Sequence, residues 1–395
     1  MEEITISLEN RIRLGKLIRV YQKEFKMTQA DLIQGICSRQ VITNMGKGII
    51  AKNEETYLEL LRRFNLSYDY HHTMDDKVLA WSKDIRYALE WYRLDEVKRI
   101  CEEAMSELEP YLKYAIELET YKVFELIHKY YFIDKSIENE SEHFLRIMWL
   151  LNNDLCDVAK HAVFVFYYYN YHFGDKSNHR TQEVREQINL SKSVYPVLML
   201  VEASCLIILR KYFEVFRLLT YLEKYYEQNN NYNGMLDTYS GIIFLINNVQ
   251  ENSLDVYANK IHDLYRNHKQ YIDEEKALLI FSNLGKCYFD QKCYIEAKEC
   301  FLQSIKFNRT YYASCICLNY LYSELNEDVP HDLFEIPSAA LKEHHLKPYY
   351  DFYLLKHQNA EPSVLKSYLK EQILRKMSKD NFYYRIFTRE LEKLS

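Results

Sequence analysis

A chain of 395 residues is longer than one ordinary core organises, so it needs two or more domains or a repeat array. Hydrophobic residues make up 48% and aromatic residues 15%, ample for burial, while only 8 Gly and 6 Pro occur; that scarcity excludes an all-β protein and the Gly-rich loops of α/β enzymes. The net charge of -6 is uneven: residues 1–66 hold 11 Lys/Arg against 8 Asp/Glu and the remainder 40 against 49, a mildly basic head on an acidic body.

In chain order, Leu8 to Phe25 places Leu8, Ile12, Leu14, Leu17, Ile18 and Tyr21 on one face and Arg11, Lys16, Arg19 and Lys23 outside, which predicts an amphipathic helix. Thr28 is an N-cap for a short helix, Gln29 to Gln34, with Leu32 and Ile33 inward. Gly35 supplies the left-handed backbone of a sharp turn. Ser38 then caps Arg39 to about Met45, with Val41, Ile42 and Met45 apolar, and a fourth helix runs from about Asn53 to Phe64.

Two short helices joined by a tight Gly turn and held by flanking helices make a helix-turn-helix, whose second helix offers its polar N-terminal side chains to the major groove. The candidate DNA-binding residues are Ser38, Arg39, Gln40, Thr43, Asn44 and Lys47, with Gln29 placed to hold a phosphate. Arg and Gln suit bidentate contacts to guanine and adenine edges. Through Thr28-Gln29, Leu32, Gly35, Ile36, Ser38, Arg39, Ile42, Met45 and Gly48 the segment resembles the Xre/Cro-type helix-turn-helix family. It has Gly46-Lys47 where that family shows Glu-Asn, and Lys52-Asn53 where it shows Pro-Ser.

Beyond Tyr70 helix follows helix, with polar linkers near Asp134–Glu142, Asp175–Gln182, Gln228–Asn233, Asn247–Asn252 and Asn326–His331. Phe281, Leu284, Gly285, Tyr288, Tyr294, Ala297, Phe301 and Ser304 fall at successive signature positions of a tetratricopeptide repeat, whose period is about 34 residues. Looser candidates are Ile85 to Met105, Val201 to Tyr226, Met235 to Asn267 built around Gly241, and Tyr311 to Leu325. The predicted fold is all-α: a helix-turn-helix domain over residues 1–68, then an α-solenoid of tetratricopeptide-like helix pairs over residues 69–395.

In the register set by Leu284-Gly285, the first helix of that repeat turns Leu279, Ser282, Asn283, Lys286, Phe289 and Asp290 to the concave groove. Asn283 has the donor and acceptor to hold an extended peptide backbone, and Lys286 can pair with a carboxylate. Thr238, Tyr239, Ile242 and Leu245 before it, and Asn319 and Tyr322 after it, flank the same groove if the periods align. Asn283 could equally bridge neighbouring helices.

Other features read as structural. The aromatic stripe in Val163 to Gly174, with Phe164, Tyr167, Tyr168 and Tyr171 at helical spacing, is core between helix pairs. His71-His72 and His344-His345 are adjacent pairs in linkers, unsuited to binding a metal together. The nine cysteines (Cys37, Cys101, Cys156, Cys205, Cys287, Cys293, Cys300, Cys315 and Cys317) contain no C-x-x-C pair and read as reduced, mostly buried thiols of a cytoplasmic protein. MEEITISLENRIRLG has no apolar signal-peptide run, and the stretch Leu198 to Leu209 is short of the roughly 20 residues a bilayer span requires, so no membrane partner is predicted. No Gly-rich phosphate loop, nucleophile elbow or carboxylate pair stands out, so neither catalysis nor a cofactor is expected.

A helix-turn-helix head on a tetratricopeptide-like body resembles the peptide-sensing transcription regulators of Gram-positive bacteria, the Rgg/PlcR/NprR/PrgX group. The resemblance implies a homodimer that binds a double-stranded operator and is controlled by a short signalling peptide in the groove, with Asn283 the first candidate to hold the peptide backbone. The alternative is a Rap-like tetratricopeptide interaction protein acting on a response regulator without specific DNA binding.

Overall fold

The computed structural model describes residues 6–172, 179–249, 253–309, 311–334, 346–377 and 381–394. Helix is the only extended regular element among them; a single isolated bridge joins Ser67 to Tyr114. The chain is all-α, and among the described residues no helix is long and apolar enough to cross a membrane. Two compact units divide it, Met1–Cys205 and Leu206–Ser395. The sequence boundary drawn at residue 68 falls inside the first unit.

The first unit opens with α1 (Leu8–Glu24), α2 (Gln29–Ile33), α3 (Arg39–Gly46) and α4 (Glu55–Arg62). It continues through α5 (His72–Glu90), α6 (Leu94–Leu108), α7 (Ala115–His128), α8 (Glu138–Ile147), α9 (Asn153–His172), α10 (His179–Gln187) and α11 (Pro196–Ile208), which carries the chain across the division. Leu14, Leu17, Ile18 and Tyr21 of α1 bury against Leu32, Ile42, Met45, Tyr57, Leu60 and Leu61, so the four short head helices share one apolar centre. Gly15 lets α1 approach α3 closely, since a Cβ there would stand 3.0 Å from Met45 O.

One side of α1 is fastened by a buried polar network rather than by apolar packing. Tyr21 Oη donates to Glu119 Oε1 of α7 at 2.8 Å, Lys122 Nζ donates to the same oxygen at 2.8 Å, and His143 of α8 bridges Glu119 to Glu24, reaching Glu24 Oε1 at 2.7 Å. Glu119 is fully buried. Burial alone would raise its pKa, but the bonds from His143 and Lys122 hold the carboxyl below its ordinary range. Burial alone would lower the pKa of His143; the bonds to Glu119 and Glu24 override that and raise it to about 9. The imidazolium is therefore the charged form that the folded unit keeps at neutral pH.

The second unit comprises α12 (Tyr212–Gln228), α13 (Tyr232–Val249), α14 (Leu254–His268), α15 (Glu274–Asp290), α16 (Tyr294–Ile305), α17 (Tyr312–Glu324), α18 (Lys347–His357), α19 (Pro362–Tyr368) and α20 (Phe382–Lys393). Here α13 packs on α12, α14 and α15, and α16 lies between α15 and α17. Gly285 faces Phe301, where a Cβ would meet the ring at 2.9 Å, so the small residue sets the approach of α15 to α16. Tyr265, Phe281 and Phe307 fill the wedge alongside, with Phe281 and Phe307 stacked at 6.3 Å.

With few glycines available, other residues close the helices. Asn65, Tyr92, Asn189, Arg210, Asn230, Lys292, Asn326 and Asn359 all have positive φ, and Asn tolerates that conformation better than most side chains. At Tyr92, Arg210, Asn230 and Lys292 the next N–H reaches back to the last helical turn, as when Arg93 N–H donates to Ala88 O at 2.8 Å and Cys293 N–H to Tyr288 O at 3.0 Å. The turns after Tyr92, Arg210 and Lys292 also share a pattern: Leu94, Tyr212 and Tyr294 open the next helix, and Glu96, Glu214 and Glu296 follow two residues later. A carboxylate there complements the helix N-terminus.

Candidate functional site

In the head, each predicted cap is made. Thr28 Oγ1 accepts from Asp31 N–H at 3.2 Å and Ser38 Oγ from Val41 N–H at 3.4 Å, so α2 and α3 begin where polar side chains satisfy their free amides. Gly35 has φ +76° and open space where a Cβ would be, so its conformation, not crowding, calls for glycine. Arg63 donates to Gln34 O at 2.7 Å and fastens the turn to the end of α4.

Of the polar candidates, Gln29 is half-buried and donates from Nε2 to Thr43 Oγ1 at 3.2 Å and Arg39 O at 3.3 Å, so its amide braces α2 against α3. Thr43 in turn donates to Arg39 O at 2.8 Å. Gln40 donates to Asn44 Oδ1 at 2.8 Å along the outer face of α3. Ser38, Arg39, Gln40 and Lys47 are exposed, and among the described residues Arg39 and Lys47 form no ion pair. The head thus presents one free cation, Arg39, and a paired amide on a short helix braced from behind, with a second free cation, Lys47, at the residue that caps its end.

In the second unit the candidates separate into two groups. Thr238, Tyr239, Ile242 and Leu245 are buried within the packing of α13: Thr238 Oγ1 donates to Gly234 O at 2.8 Å, and Tyr239 meets Tyr257 of α14 edge-on at 5.8 Å. Side chains of α13 that bond to α15 include Asp237, Ser240 and Asn247, which take hydrogen bonds from, or give them to, Lys276, Asn283 and Asp290, and Cys287 Sγ reaches Ile243 O at 3.7 Å. Asp237, Ser240 and Asn247 carry no periodic signal in the sequence, and a Cβ at Gly241, on which the α13 candidates were centred, would meet Leu219 of α12.

On α15, Ser282 is fully buried and accepts from Ser314 Oγ at 3.3 Å, while Leu279, Asn283 and Lys286 are half-buried. Asn283 donates to Ser240 Oγ at 3.0 Å, so it bridges α13 and α15 and keeps its carbonyl oxygen for another partner. Phe289 lies against Phe382 of α20 at 5.3 Å. Asn319 is buried and donates to Cys315 O of its own helix at 2.9 Å; Tyr322 is buried with Lys298 over its ring. Every residue of α17 from Tyr312 to Tyr322 is buried, in part under α20, whose Arg389 donates to Tyr294 Oη at 2.6 Å and whose Arg385 pairs with Asp290 at 3.1 Å.

The remaining sequence features are structural where they are described. Phe164 and Tyr167 are fully buried. His71 Nδ1 lies 2.8 Å from Glu117 and its ring packs on Tyr111 and Tyr114. His344-His345 and the end of the Val163–Gly174 stretch lie outside the described residues. All nine cysteines are free, seven of them buried, and no metal-binding cluster occurs among the described residues. Comparison of the chain with family profiles, with curated proteins and with solved structures returned no match.

Proposed function

We propose that this protein is a cytoplasmic DNA-binding transcription regulator controlled by a short signalling peptide. The observation that carries the reading is α3: a helix capped by Ser38, braced by Gln29, and presenting Arg39, Gln40 and Lys47 outward beyond a left-handed turn at Gly35. That is the order of a helix-turn-helix, in which rigid support aims a few polar side chains at base edges. Arg39 is the candidate to read guanine, Gln40 or Asn44 adenine, and Lys47 a phosphate.

The helix pairs of the second unit, with Gly285 against Phe301 and aromatics in the wedge, fit a tetratricopeptide-like solenoid, and the exposed parts of α13 and α15 fit its ligand groove. In a dimer the two recognition helices must lie about one DNA turn, roughly 34 Å, apart. A peptide that binds one curvature of the repeats better than another shifts that spacing by its difference in affinity.

The test is selection from a randomised duplex library by the full chain, in parallel with an Arg39→Ala/Gln40→Ala variant. Enrichment of a two-fold-symmetric sequence by the wild type alone supports the reading; recovery of unenriched DNA by both proteins contradicts it.

A further inference from the structure

Residues of α14, α15 and α16 line one cleft of 700 Å³, a size that holds a small molecule. Its floor is Phe281 and Tyr288, which share a stripe of α15 that Asn283 and Lys286 do not. Contacts at its two ends fix the direction of the flanking helices. Asp255, at the start of α14, accepts from Tyr288 Oη at 2.8 Å; burial, that bond and, more weakly, the charge of Glu296 in the first turn of α16 all raise the pKa of Tyr288. At the other end Tyr265 of α14 and Phe307, just past α16, meet at Phe281, with ring centroids 5.5 and 6.3 Å from its own. The two helices therefore run the same way along the cleft.

Their charges sort accordingly. Glu296 and Glu299 stand toward the Tyr288 end, and Arg266, Lys269 and Lys306 toward the Phe281 end. All five are exposed; among the described residues Lys269, Lys306, Glu296 and Glu299 form no ion pair, and Arg266 pairs only with Asp263, at 3.2 Å. Glu299 and Lys306 lie about 10 Å apart along the helix, too far to neutralise each other. Between the ends the His262 ring leans on Phe281 at 5.3 Å, and burial and the Arg266 charge lower its pKa, so it is neutral at pH 7. A cleft of this kind suits a ligand of the converse build: an anionic group for the three cations, N–H donors for a carboxylate that can only accept, and a flat body for the rings between. We propose that the cleft binds a purine nucleotide, with its phosphate at Arg266, Lys269 and Lys306, its base along His262 and Tyr265, and its exocyclic amine donating to Glu299. The proposal rests neither on the DNA reading nor on a peptide in the second unit.

The experiment titrates the full-length chain calorimetrically with AMP, GMP, IMP, adenosine and inorganic phosphate. IMP keeps the ring and the phosphate but lacks the amine. Wild type is predicted to bind AMP or GMP about tenfold or more tighter than IMP, adenosine or phosphate, because one charge-assisted hydrogen bond carries that much. Preference for AMP assigns the 6-amino group, and for GMP the 2-amino group. Glu299→Ala should bind AMP, GMP and IMP alike, whereas Lys269→Ala/Lys306→Ala should weaken all three; both variants alter exposed side chains and should keep the wild-type transition in circular dichroism. IMP bound by wild type as tightly as AMP and GMP overturns the proposal, as does inorganic phosphate matching them, which would leave an anion patch only. Binding unchanged in both variants, or no binding at all, overturns it too.

Discussion

Replacing His143 by Gln removes the one cation that joins Glu119 to Glu24, and the structure gives the size and the pH window of the loss. The pKa of His143 rises from the ordinary 6.5 to about 9 on folding. Each unit corresponds to about 1.4 kcal/mol, so the protonated bridge contributes on the order of 3 kcal/mol to the first unit. A histidine whose pKa is higher folded than unfolded gives its full contribution below about 6.5 and loses it as pH climbs through about 9. The three tryptophans, Trp81, Trp91 and Trp149, all lie in the first unit, so their fluorescence during urea unfolding reports that unit. Wild type should exceed His143→Gln by about 3 kcal/mol at pH 6, and the gap should close by pH 10. A gap that stays constant from pH 6 to pH 10 would mean that His143 contributes packing and not charge.

The same network sets the acid limit. Glu119 has a lowered pKa, so its contribution is present above the ordinary carboxyl value and is lost as pH falls through the folded one; Glu119→Gln should flatten the acid limb of the same stability curve. Thr28→Ala and Ser38→Ala each remove the acceptor for a helix-starting amide and should cost about 1 kcal/mol in urea unfolding followed by tryptophan. In the second unit Gly234 faces the Tyr226 ring, where a Cβ would stand 2.5 Å from Cδ1. Gly234→Ala should destabilise by about 1–3 kcal/mol, read as a lower transition in far-ultraviolet circular dichroism; an unchanged transition would show that Tyr226 yields freely.

The head was the most legible part of the chain. Predicted spans of Leu8–Phe25 and Arg39–Met45 became Leu8–Glu24 and Arg39–Gly46, because amphipathic period, a capping hydroxyl and one glycine each act within a few residues of the chain. What lay beyond local sequence was the use of the polar groups. Gln29, free on paper to meet a phosphate, has in Thr43 a partner that only the fold of α2 onto α3 brings near. The network around Glu119 joins residues as much as 119 positions apart and left no periodic trace.

The second unit was legible where a residue has one possible role and misleading where it has two. Gly285 packs on Phe301 of the following helix, whereas Gly241 packs on Leu219 of the preceding one, and Thr238, Tyr239, Ile242 and Leu245 are buried. The uniform burial of α17 was hidden for a different reason. Its sequence is apolar nearly all round, which marks a helix covered on every side, but the covering helices α18 and α20 lie far along the chain.

Whether α3 reads DNA, as proposed, is decided by the affinity of the purified chain for a duplex spanning its own promoter at two salt concentrations, beside Arg39→Ala/Gln40→Ala and a scrambled duplex. Wild type should prefer the promoter, its binding should weaken as salt rises, and the variant should bind both duplexes equally weakly. Equal, weak binding of wild type to both duplexes would contradict the proposal. The exposed side chains of α3 would then be an ordinary solvated surface, and a protein-interaction role of the Rap-like kind would lead.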